Sequence, residues 1–401
     1  MLTNRQLFLL HMGQTSSSPL LVEVEKAEGA IMYGPDGTKY IDLISGVSVS
    51  NTGHRHPKVV EAIRKQLDSY LHLMVYGEMI QSPQVKFAER LSSLLPDCLD
   101  VCYFVNSGSE AIEGAMKLAR KFTHRSRIIS FKNAYHGSTC GALSIQGSEF
   151  YKNAFRPLLP DTRQIGFNDF DSLESIDEHT ACVIVEPVQA EAGVIYPESG
   201  FLQEIRKRCS NKGALLVFDE VQTGFGRIGK MFAIDRFGVV PDILVLAKAI
   251  GGGMPLGAFI SSGEIMSVLS NNPQLGHITT FGGHPVCCAA GLASLEVIIE
   301  ENLTEECIRK SGLIKKTLVH PLIHEVRGEG LLLAVEVNKP EYTQYIVANA
   351  PGFGIILDYF LFCNTAFRIA PPLNIPDDIL IQSCRQLLML LDDTEKHVRE
   401  R

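Results

Sequence analysis

Two apolar runs decide the fold, and they read Ala214-Leu-Leu-Val-Phe-Asp-Glu-Val-Gln-Thr-Gly224 and Pro241-Asp-Ile-Leu-Val-Leu-Ala-Lys-Ala-Ile-Gly-Gly-Gly-Met-Pro-Leu-Gly257. Both are short, rich in branched residues and bounded by Gly or Pro, which predicts buried parallel strands. The first run ends on Asp219 and the second on Lys248. Ligands of open α/β sheets bind at the carboxyl ends of the strands. We therefore expect this acid and this amine to face one crevice.

Lys248 has the sequence context of a nucleophile. A lysine between an apolar strand and a glycine-rich turn is poorly solvated, which favours its neutral amine. With a carbonyl cofactor this amine would form a Schiff base, and Asp219 is the partner that a protonated pyridine nitrogen requires. Taken singly, each residue also fits a solvated strand cap; the pair with its glycines favours the chemical interpretation.

Composition bounds the class of protein. The 401 residues are enough for two domains, and 45% hydrophobic with 20% charged residues is typical of a soluble globular enzyme. A net charge of −8 without a basic block argues against a nucleic-acid partner. The ten cysteines are scattered, so neither a zinc site nor a disulfide framework is indicated. The Leu7–Leu10 run is too short for a signal peptide or a membrane span, so we expect a cytoplasmic protein with no membrane partner.

Strand and helix patterns alternate through the middle of the chain, which predicts a mostly parallel sheet covered on both faces. The predicted strands are Val101–Val105, Arg127–Phe131, Cys182–Val185, Leu215–Phe218, Ile243–Ala247 and Leu256–Ile260, and the helices between them are Glu110–Phe122, Phe201–Asn211 and Val286–Ile299. After about Glu300 the pattern changes to a smaller α+β unit. The early strands have no place in the main sheet. We therefore predict a large domain over residues 51–300 and a small domain formed by residues 1–50 and 301–401.

Three further motifs suggest ligand contacts, each with a plainer alternative. Ser107-Gly108-Ser109 begins a helix after a strand, which indicates a phosphate site or an ordinary N-cap. Tyr135 follows a strand and could stack on a flat ring or pack in the core. Arg368 lies in an apolar stretch and could bind a carboxylate or form a structural salt bridge. For His54-Arg55-His56, helix entry at Pro57 explains the sequence better than a metal site, so no metal is predicted.

These residues together resemble the class III pyridoxal-phosphate aminotransferases, which include acetylornithine, ornithine and 4-aminobutyrate aminotransferases. The resemblance runs in order from about Tyr33 to Pro372. It is carried by Ser107-Gly108-Ser109-Glu110-Ala111, Tyr135-His136-Gly137, Glu186-Pro187-Val188-Gln189, Phe218-Asp219-Glu220-Val221-Gln222-Thr223-Gly224, Lys248 with its glycines, and Thr280-Phe281-Gly282-Gly283. It implies the type I pyridoxal-phosphate transferase fold and a homodimer with active sites at the subunit interface.

The resemblance also implies a role for each site residue. Lys248 would bind pyridoxal phosphate covalently and move a proton, and Asp219 would hold the pyridine nitrogen protonated. The implied cofactor-binding residues are Ser107, Gly108, Ser109, Tyr135, His136, Glu186, Asp219, Val221, Gln222, Lys248 and Thr280, the last from the other subunit. Arg368 would bind a substrate α-carboxylate, with Glu191 as the acid that pairs with it when no carboxylate is bound; a solvated loop carboxylate is the alternative for Glu191.

Two positions bear on the substrates. Val47 stands where enzymes acting on free ornithine tend to carry Tyr, which is more similar to the acetylornithine and 4-aminobutyrate types. Ser138 stands where many relatives have an Arg that helps bind 2-oxoglutarate. We expect transfer of a terminal amine from an acetylornithine-, ornithine- or 4-aminobutyrate-like donor to 2-oxoglutarate. Pyruvate as acceptor and an aminomutase on the same fold are the alternatives, and Gln189-Ala190-Glu191 disfavours the aminomutase.

Overall fold

The computed structural model describes residues 2–399. In chain order its strands are β1 Lys26–Glu28, β2 Ile31–Tyr33, β3 Lys39–Asp42, β4 Val101–Val105, β5 Arg127–Phe131, β6 Thr162–Ile165, β7 Thr180–Val185, β8 Leu215–Asp219, β9 Ile243–Leu246, β10 Gly257–Ser261, β11 Glu325–Glu329, β12 Leu332–Glu336, β13 Ile355–Ile356, β14 Asp358–Tyr359 and β15 Ala366–Ile369. The helices are α1 Asn4–His11, α2 Ser45–Ser48, α3 Pro57–Ser69, α4 Ser82–Ser92, α5 Gly108–Thr123, α6 Cys140–Ser144, α7 Glu149–Lys152, α8 Phe201–Lys212, α9 Ala233–Phe237, α10 Gly263–Ser267, α11 Pro285–Glu300, α12 Leu303–Thr317, α13 Pro340–Asn349 and α14 Asp377–Arg399.

The central sheet has seven strands in the order β4-β10-β9-β8-β7-β5-β6. Strand β10 runs antiparallel to both its neighbours, and the pairs from β9 to β6 are parallel. The two apolar runs that decide the fold are β8 and β9, paired in parallel with Asp219 opposite Val245. The sequence prediction of a mostly parallel α/β sheet is confirmed.

Both faces of this sheet are covered. Along β8, Leu216 and Phe218 belong to one buried apolar cluster, whereas Leu215 and Val217 belong to another. Successive side chains of a strand point to opposite faces, so the alternation places one core on each side of the sheet. This burial on both faces is why the strand sequences are continuously apolar.

Two four-stranded sheets lie outside the central one, in the orders β1-β2-β3-β13 and β11-β12-β15-β14. In the first, Ile41 of β3 pairs in parallel with Ile355 of β13, which joins the N-terminal strands to the C-terminal part of the chain. The second is antiparallel throughout and carries Arg368 on β15. The domain boundaries at residues 50 and 300 stay a prediction.

The structure differs from the sequence prediction at several element boundaries. Strand β6, Thr-Arg-Gln-Ile, was not predicted, because a half-exposed edge strand has no apolar run. Strand β9 ends at Leu246 rather than Ala247, since Lys248 has φ 53° and begins a short 3₁₀ turn to Gly251. The C-terminal unit holds the strands β11 to β15, more than the two that the sequence predicts, one at Leu331–Val337 and one after a Gly352–Gly354 turn. These strands are short and mix polar with apolar residues, so the pattern that identifies a strand is weak.

The structure also bears on two of the remaining sequence predictions. Among residues 2–399, none of the helices is both long and apolar enough to cross a membrane. His54 Nε2 lies 2.7 Å from Asp42 Oδ2, and His56 Nε2 lies 3.1 Å from Glu301 Oε1. The two histidines therefore contact different carboxylates.

Candidate active site

A cavity of about 340 Å³ lies at the carboxyl ends of the central strands. It is lined by the turn after β4, the turn after β5, and the ends of β7, β8 and β9. The lining residues are Val49, Asn106, Ser107, Gly108, Ser109, Tyr135, His136, Gly137, Glu186, Asp219, Val221, Gln222, Ala247, Lys248, Gly253, Met254, Pro255 and Leu256. Asp219 and Lys248 thus share one crevice, as their positions at the ends of neighbouring strands predict.

Four ionisable residues at this edge form what we call the strand-end cluster: His136, Glu186 and Asp219, which are buried, and Lys248, which is half-buried in the cavity wall. Burial lowers the pKa of the Lys248 amine, and the nearby Glu191 carboxylate partly opposes this shift. The neutral amine is therefore favoured relative to an exposed lysine. This is the protonation state that a nucleophile or a general base needs.

Asp219 is held in a fixed orientation. Its Oδ1 accepts a hydrogen bond from the Val221 backbone N–H at 3.0 Å, and its Oδ2 lies 2.7 Å from His136 Nδ1. The carboxylate is only 4% exposed, and no Lys or Arg of the described residues lies within 4.0 Å of it. A buried carboxylate of this kind is stabilised by a protonated nitrogen. The cavity beside it is where such a nitrogen would bind.

Glu186 supports the walls of the cavity. Its Oε1 accepts from the Tyr135 N–H at 2.8 Å and its Oε2 from the Ala190 N–H at 3.1 Å. Burial raises the pKa of Glu186 to about 7. The carboxyl thereby ties the turn after β5 to the turn after β7. It was predicted as a cofactor-binding residue, and it both lines the cavity and positions Tyr135.

The N-terminus of α5 provides the anion-binding part of the cavity. The Ser107 hydroxyl accepts from the Glu110 N–H at 3.2 Å, which is the N-cap reading of this motif. The first N–H groups of a helix have no carbonyl partner within the helix, so those of Gly108 and Ser109 remain available to an anion. The motif therefore forms an N-cap, and the phosphate site stays a prediction.

Close packing at two glycines keeps this part of the cavity open. A Cβ at Gly108 would lie 3.2 Å from the Cγ atoms of Val221 and 3.4 Å from Ala247 Cβ. At Gly137, where φ is 123°, a Cβ would lie 2.1 Å from Ser109 Oγ. Side chains at these positions would push into the cradle or displace its walls. Gly137 therefore has no room for a side chain, whereas at Gly108 a methyl group requires its neighbours to shift slightly.

Beside the strand-end cluster lies what we call the arginine cluster, made of Glu191, Asp358 and Arg368. Arg368 Nη2 lies 2.5 Å from Glu191 Oε1, and Arg368 Nη1 lies 3.5 Å from Asp358 Oδ2. The Arg368 side chain is 1% exposed and that of Glu191 7%. Gln222, which lines the cavity, donates to Glu191 Oε1 at 3.3 Å and so links the two clusters.

The charges and hydrogen bonds around Glu191 together outweigh the effect of burial on its pKa. Burial alone would raise the pKa of this carboxyl and is the largest influence on it. Arg368, followed by Lys248 and the Leu361 N–H, lowers the pKa, and the net direction is downward. Glu191 is thus an ionised, paired acid and not a solvated loop carboxylate.

The structure places two of the predicted site residues outside the cavity lining, and it adds one residue that the sequence did not predict. Val47 is half-buried with φ 63° and does not line the cavity, whereas the neighbouring Val49 does. Thr280 is exposed and also lies outside the lining. Asp358 was not predicted; an acid that interrupts the apolar run Ile355–Phe360 was the available signal, of the same kind that identified Asp219.

The cavity fits a flat, anionic, nitrogen-containing cofactor. A buried carboxylate at one end, helix N–H groups at the other, and a desolvated lysine between them match the donor set of pyridoxal phosphate. Tyr135 and Val221 both line the space, and the buried Gln222 Oε1 and His136 Nε2 have no hydrogen-bond partner in the described part of the protein. The fold and the site together define a pyridoxal-phosphate-dependent enzyme.

Comparison with known proteins gives the family. The profile of the aminotransferase class-III family matches residues 12–391, and the chain belongs to this family. It is 39% identical over 382 residues to an acetylornithine aminotransferase of Methanopyrus kandleri, which covers 94% of this chain and 95% of the relative. It is 40% identical over 323 residues to a [LysW]-aminoadipate semialdehyde/glutamate semialdehyde transaminase of Sulfurisphaera tokodaii, covering 79% and 82%.

Solved structures agree. An ornithine aminotransferase from Toxoplasma gondii superposes with a TM-score of 0.90 at 29% identity, covering 97% of this chain and 94% of that one. A PLP-bound amine transaminase from an uncultivated Pseudomonas species gives 0.87 at 26% identity, covering 96% and 98%. The protein is therefore a pyridoxal-phosphate-dependent transaminase of the type I fold, whose substrates are a small amine and a 2-oxo acid.

Proposed function

We propose that this transaminase moves the terminal amine of an acetylornithine-like donor to 2-oxoglutarate in two half reactions. The buried ion pair between Arg368 and Glu191 beside Lys248 carries this proposal. A terminal amine has no carboxylate on its reacting carbon, whereas glutamate does. One pocket that accepts both must offer Arg368 in one half reaction and neutralise it in the other.

Glu191 provides that alternation. An unpaired buried guanidinium costs several kcal/mol, on the order of 3–5 kcal/mol when a partner is removed. Paired with Glu191, Arg368 presents no free charge to a donor without an α-carboxylate. When Glu191 turns away, Arg368 can bind the α-carboxylate of glutamate with two parallel hydrogen bonds. The enzyme thereby uses one arginine for two unlike substrates.

The strand-end cluster holds the cofactor in this proposal. Lys248 binds it covalently and Asp219 pairs with its ring nitrogen. The N–H groups of Gly108 and Ser109 bind its phosphate, with Ser107 capping the helix behind them. When bound, pyridoxal phosphate supplies an electron-withdrawing ring that stabilises negative charge at the substrate carbon. Tyr135 and Val221 cover opposite faces of the ring, with Gln222 near its hydroxyl, and Glu186 and His136 fix Tyr135 and Asp219.

Lys248 also moves the proton. With the substrate held on the cofactor, the Lys248 amine would be free, and burial lowers its pKa, which favours the neutral form that a base needs. A neutral amine there can take the proton from the substrate carbon and return it elsewhere, a general acid–base role worth about 10²–10⁴-fold in rate. The alternation between base and acid needs no other titrating group.

The donor is proposed from the relatives and from Val47. Acetylornithine aminotransferases are among the relatives that match most of the chain, and Val47 agrees with that type. Free ornithine, 4-aminobutyrate and the terminal amine whose deamination gives an aminoadipate semialdehyde are the other donors of the panel to be tested. The ion pair itself requires only that the donor lacks a carboxylate on its reacting carbon.

Pyruvate is the second candidate acceptor, and one observation favours it. Lys248 is the one Lys or Arg among the cavity-lining residues of the described chain. Ser138, at the position of the usual Arg, forms a 3.1 Å hydrogen bond between its Oγ and Tyr135 Oη instead. The far carboxylate of 2-oxoglutarate therefore needs a cation from beyond this lining, whereas pyruvate has no such carboxylate.

We also propose a homodimer in which Thr280 reaches the phosphate of the partner's site. Thr280 is exposed, and exposed apolar side chains surround it in sequence and along the nearby groove: Leu71, Leu73, Met79, Ile80, Val85, Ile278 and Phe281. A patch of this kind is typical of an oligomer interface. Light scattering of the purified protein tests the dimer. A cytoplasmic location stays a prediction from the sequence.

The function is tested by single-turnover spectra of each half reaction. The holoenzyme is mixed with each amine donor, and the aminated form is then mixed with 2-oxoglutarate or pyruvate. We expect N-acetylornithine and 2-oxoglutarate to give the largest specificity constants. An isomerised product without release of a 2-oxo acid would identify an aminomutase, and preference for pyruvate would select the second acceptor.

A further inference from the structure

Arg368 has a second acidic neighbour that the gate formed by Glu191 does not use. Strands β14 and β15 are antiparallel, and Asp358 lies directly opposite Arg368 in their register. Asp358 Oδ2 is 3.5 Å from Arg368 Nη1, on the other side of the guanidinium from Glu191. The guanidinium carbon also stacks over the Phe360 ring, 4.7 Å from its centroid. The arginine is thus enclosed by two acids and a ring.

The charges of the arginine cluster do not balance. Glu191 at 2.5 Å already neutralises Arg368, so Asp358 adds negative charge that the cluster does not compensate. Lys248 does not pair with Asp358 among the described residues, so Arg368 is the one Lys or Arg within 4.0 Å of either acid. Burial is the main cause that raises the pKa of Asp358; the charge of Arg368 lowers this pKa, and the negative charge of Glu191 raises it.

This charge lies within reach of a substrate. Strand β14 is at the edge of its sheet, and the Asp358 side chain keeps 30% of its surface exposed. Glu191 contacts Gln222 in the cavity lining. A substrate whose carboxylate approaches Arg368 must therefore come close to Asp358 as well.

We propose that Asp358 is a specificity-determining residue, which disfavours anionic substrates at the arginine cluster and favours donors without net negative charge. The inference rests on the proposed carboxylate-binding role of Arg368. Like charges placed side by side reduce affinity, and proteins use this repulsion to select among ligands. Glutamate carries a net negative charge, N-acetylornithine carries none, and putrescine carries a positive one. Asp358 should therefore weaken the binding of glutamate, have little effect on N-acetylornithine and strengthen the binding of putrescine.

A structural anchor is the alternative role, and it makes different predictions. If Asp358 only tied β14 to β15, its loss would weaken all substrates alike and lower the melting temperature. The 3.5 Å separation is long for a charge-assisted hydrogen bond, and Asp358 Oδ1 accepts a local bond from the Tyr359 N–H at 2.8 Å. A role in substrate selection predicts that loss of Asp358 changes the affinity for anionic and for cationic ligands in opposite directions.

The test is Asp358→Asn in the holoenzyme, with Glu329→Gln as the matched control. Glu329 lies on β11 of the same sheet and pairs with Arg236, away from the cavity. We expect the KM for glutamate in its half reaction to fall about tenfold, the value for N-acetylornithine to change little, and that for putrescine to rise. A tenfold change is the order expected for one charge roughly 10 Å away at an effective dielectric of about 20.

A binding measurement makes the test independent of turnover. Calorimetric titration of the holoenzyme with valerate, an unreactive carboxylate, should show about tenfold tighter binding in Asp358→Asn and no change in Glu329→Gln. Asp358→Ser serves as the second variant if the first does not fold. Equal changes for all ligands, or none, would overturn the inference.

Arg368→Gln separates this inference from the proposed function. If it weakens glutamate and valerate while Asp358→Asn has no charge-ranked effect, Arg368 binds carboxylates and Asp358 is only an anchor. If Arg368→Gln leaves both ligands unaffected, the carboxylate site proposed for Arg368 is wrong and the inference about Asp358 is overturned with it.

Discussion

The strand-end cluster and the arginine cluster are neighbours in space, yet the chain builds them in different ways. Asp219 and Lys248 stand at the ends of adjacent parallel strands, β8 and β9, whose side chains are buried on both faces. Arg368 and Glu191 come from positions 177 residues apart, one on β15 of a smaller sheet and one in the turn after β7. The first cluster is held by neighbouring strands of the buried central sheet, and the second joins a strand of a smaller sheet to a turn of the central sheet.

This difference matches the work proposed for each cluster. The cofactor has the same requirements in both half reactions, so its site gains from a fixed arrangement. The substrates differ, so the site that recognises them gains from a charge that can be paired in two ways. If the two clusters differ in this way, mutations in each should have different consequences for the two half reactions.

Replacing Lys248 should have the largest effect of all. Lys248→Ala removes both the covalent attachment and the proton-transfer group, so transamination should fall at least about a thousandfold. Borohydride reduction of the wild-type holoenzyme followed by peptide mass spectrometry should find the cofactor on Lys248. Lys152, a buried lysine outside the cavity, is the internal control. Attachment to any lysine other than Lys248 would refute the assignment.

Asp219→Asn should be the next most severe change. The neutral amide cannot compensate a protonated ring nitrogen, and an uncompensated buried charge costs roughly 3–5 kcal/mol, or on the order of a hundredfold to a few thousandfold in rate. The cofactor should still bind, because the lysine and the helix N-terminus remain. The rate and the cofactor content, measured on the same sample, separate these outcomes. Near-normal turnover would mean that Asp219 is only a strand cap.

Glu191→Ala should affect the two half reactions unequally. With only the longer contact to Asp358 left, the charge of Arg368 is less well compensated, and the half reaction with the terminal-amine donor should slow about tenfold to a hundredfold. The half reaction with glutamate should be spared or improved, since the carboxylate no longer competes with Glu191. Glu198→Ala, an exposed carboxylate in the same connection, is the control. Equal losses in both half reactions would remove Glu191 from the gate.

The same contrast explains which residues of each cluster could be predicted from the sequence. An acid and a lysine at the ends of apolar strands are local signals, and parallel pairing brings neighbouring strand ends together, so the strand-end cluster could be placed in one crevice. Arg368 could be noticed in its apolar stretch, but its partners could not. The contact with Asp358 depends on the register of two short strands, which no local pattern fixes.

Adding a single methyl group to the wall of the cavity should also show whether the strand-end cluster is rigid. Gly108 lies against Val221 and Ala247, where an added Cβ would have neighbours at 3.2–3.4 Å. Those neighbours belong to the turn after β8 and the residue after β9, which have little freedom to move. Gly108→Ala should therefore weaken cofactor binding about threefold to tenfold, roughly 1 kcal/mol of strain in a close-packed wall.

The matched control for this last change is Gly312→Ala. Gly312 lies in helix α12 with no atom within 4 Å of an added Cβ, so the same methyl group should stabilise the helix by about 0.5–1 kcal/mol and leave the cofactor affinity unchanged. Fluorescence titration of the apoenzyme with pyridoxal phosphate measures the affinity, and thermal unfolding measures the stability. If Gly108→Ala binds the cofactor as tightly as the control does, the wall yields to a methyl group. The cradle would then be adaptable, and rigidity would no longer distinguish the strand-end cluster from the arginine cluster.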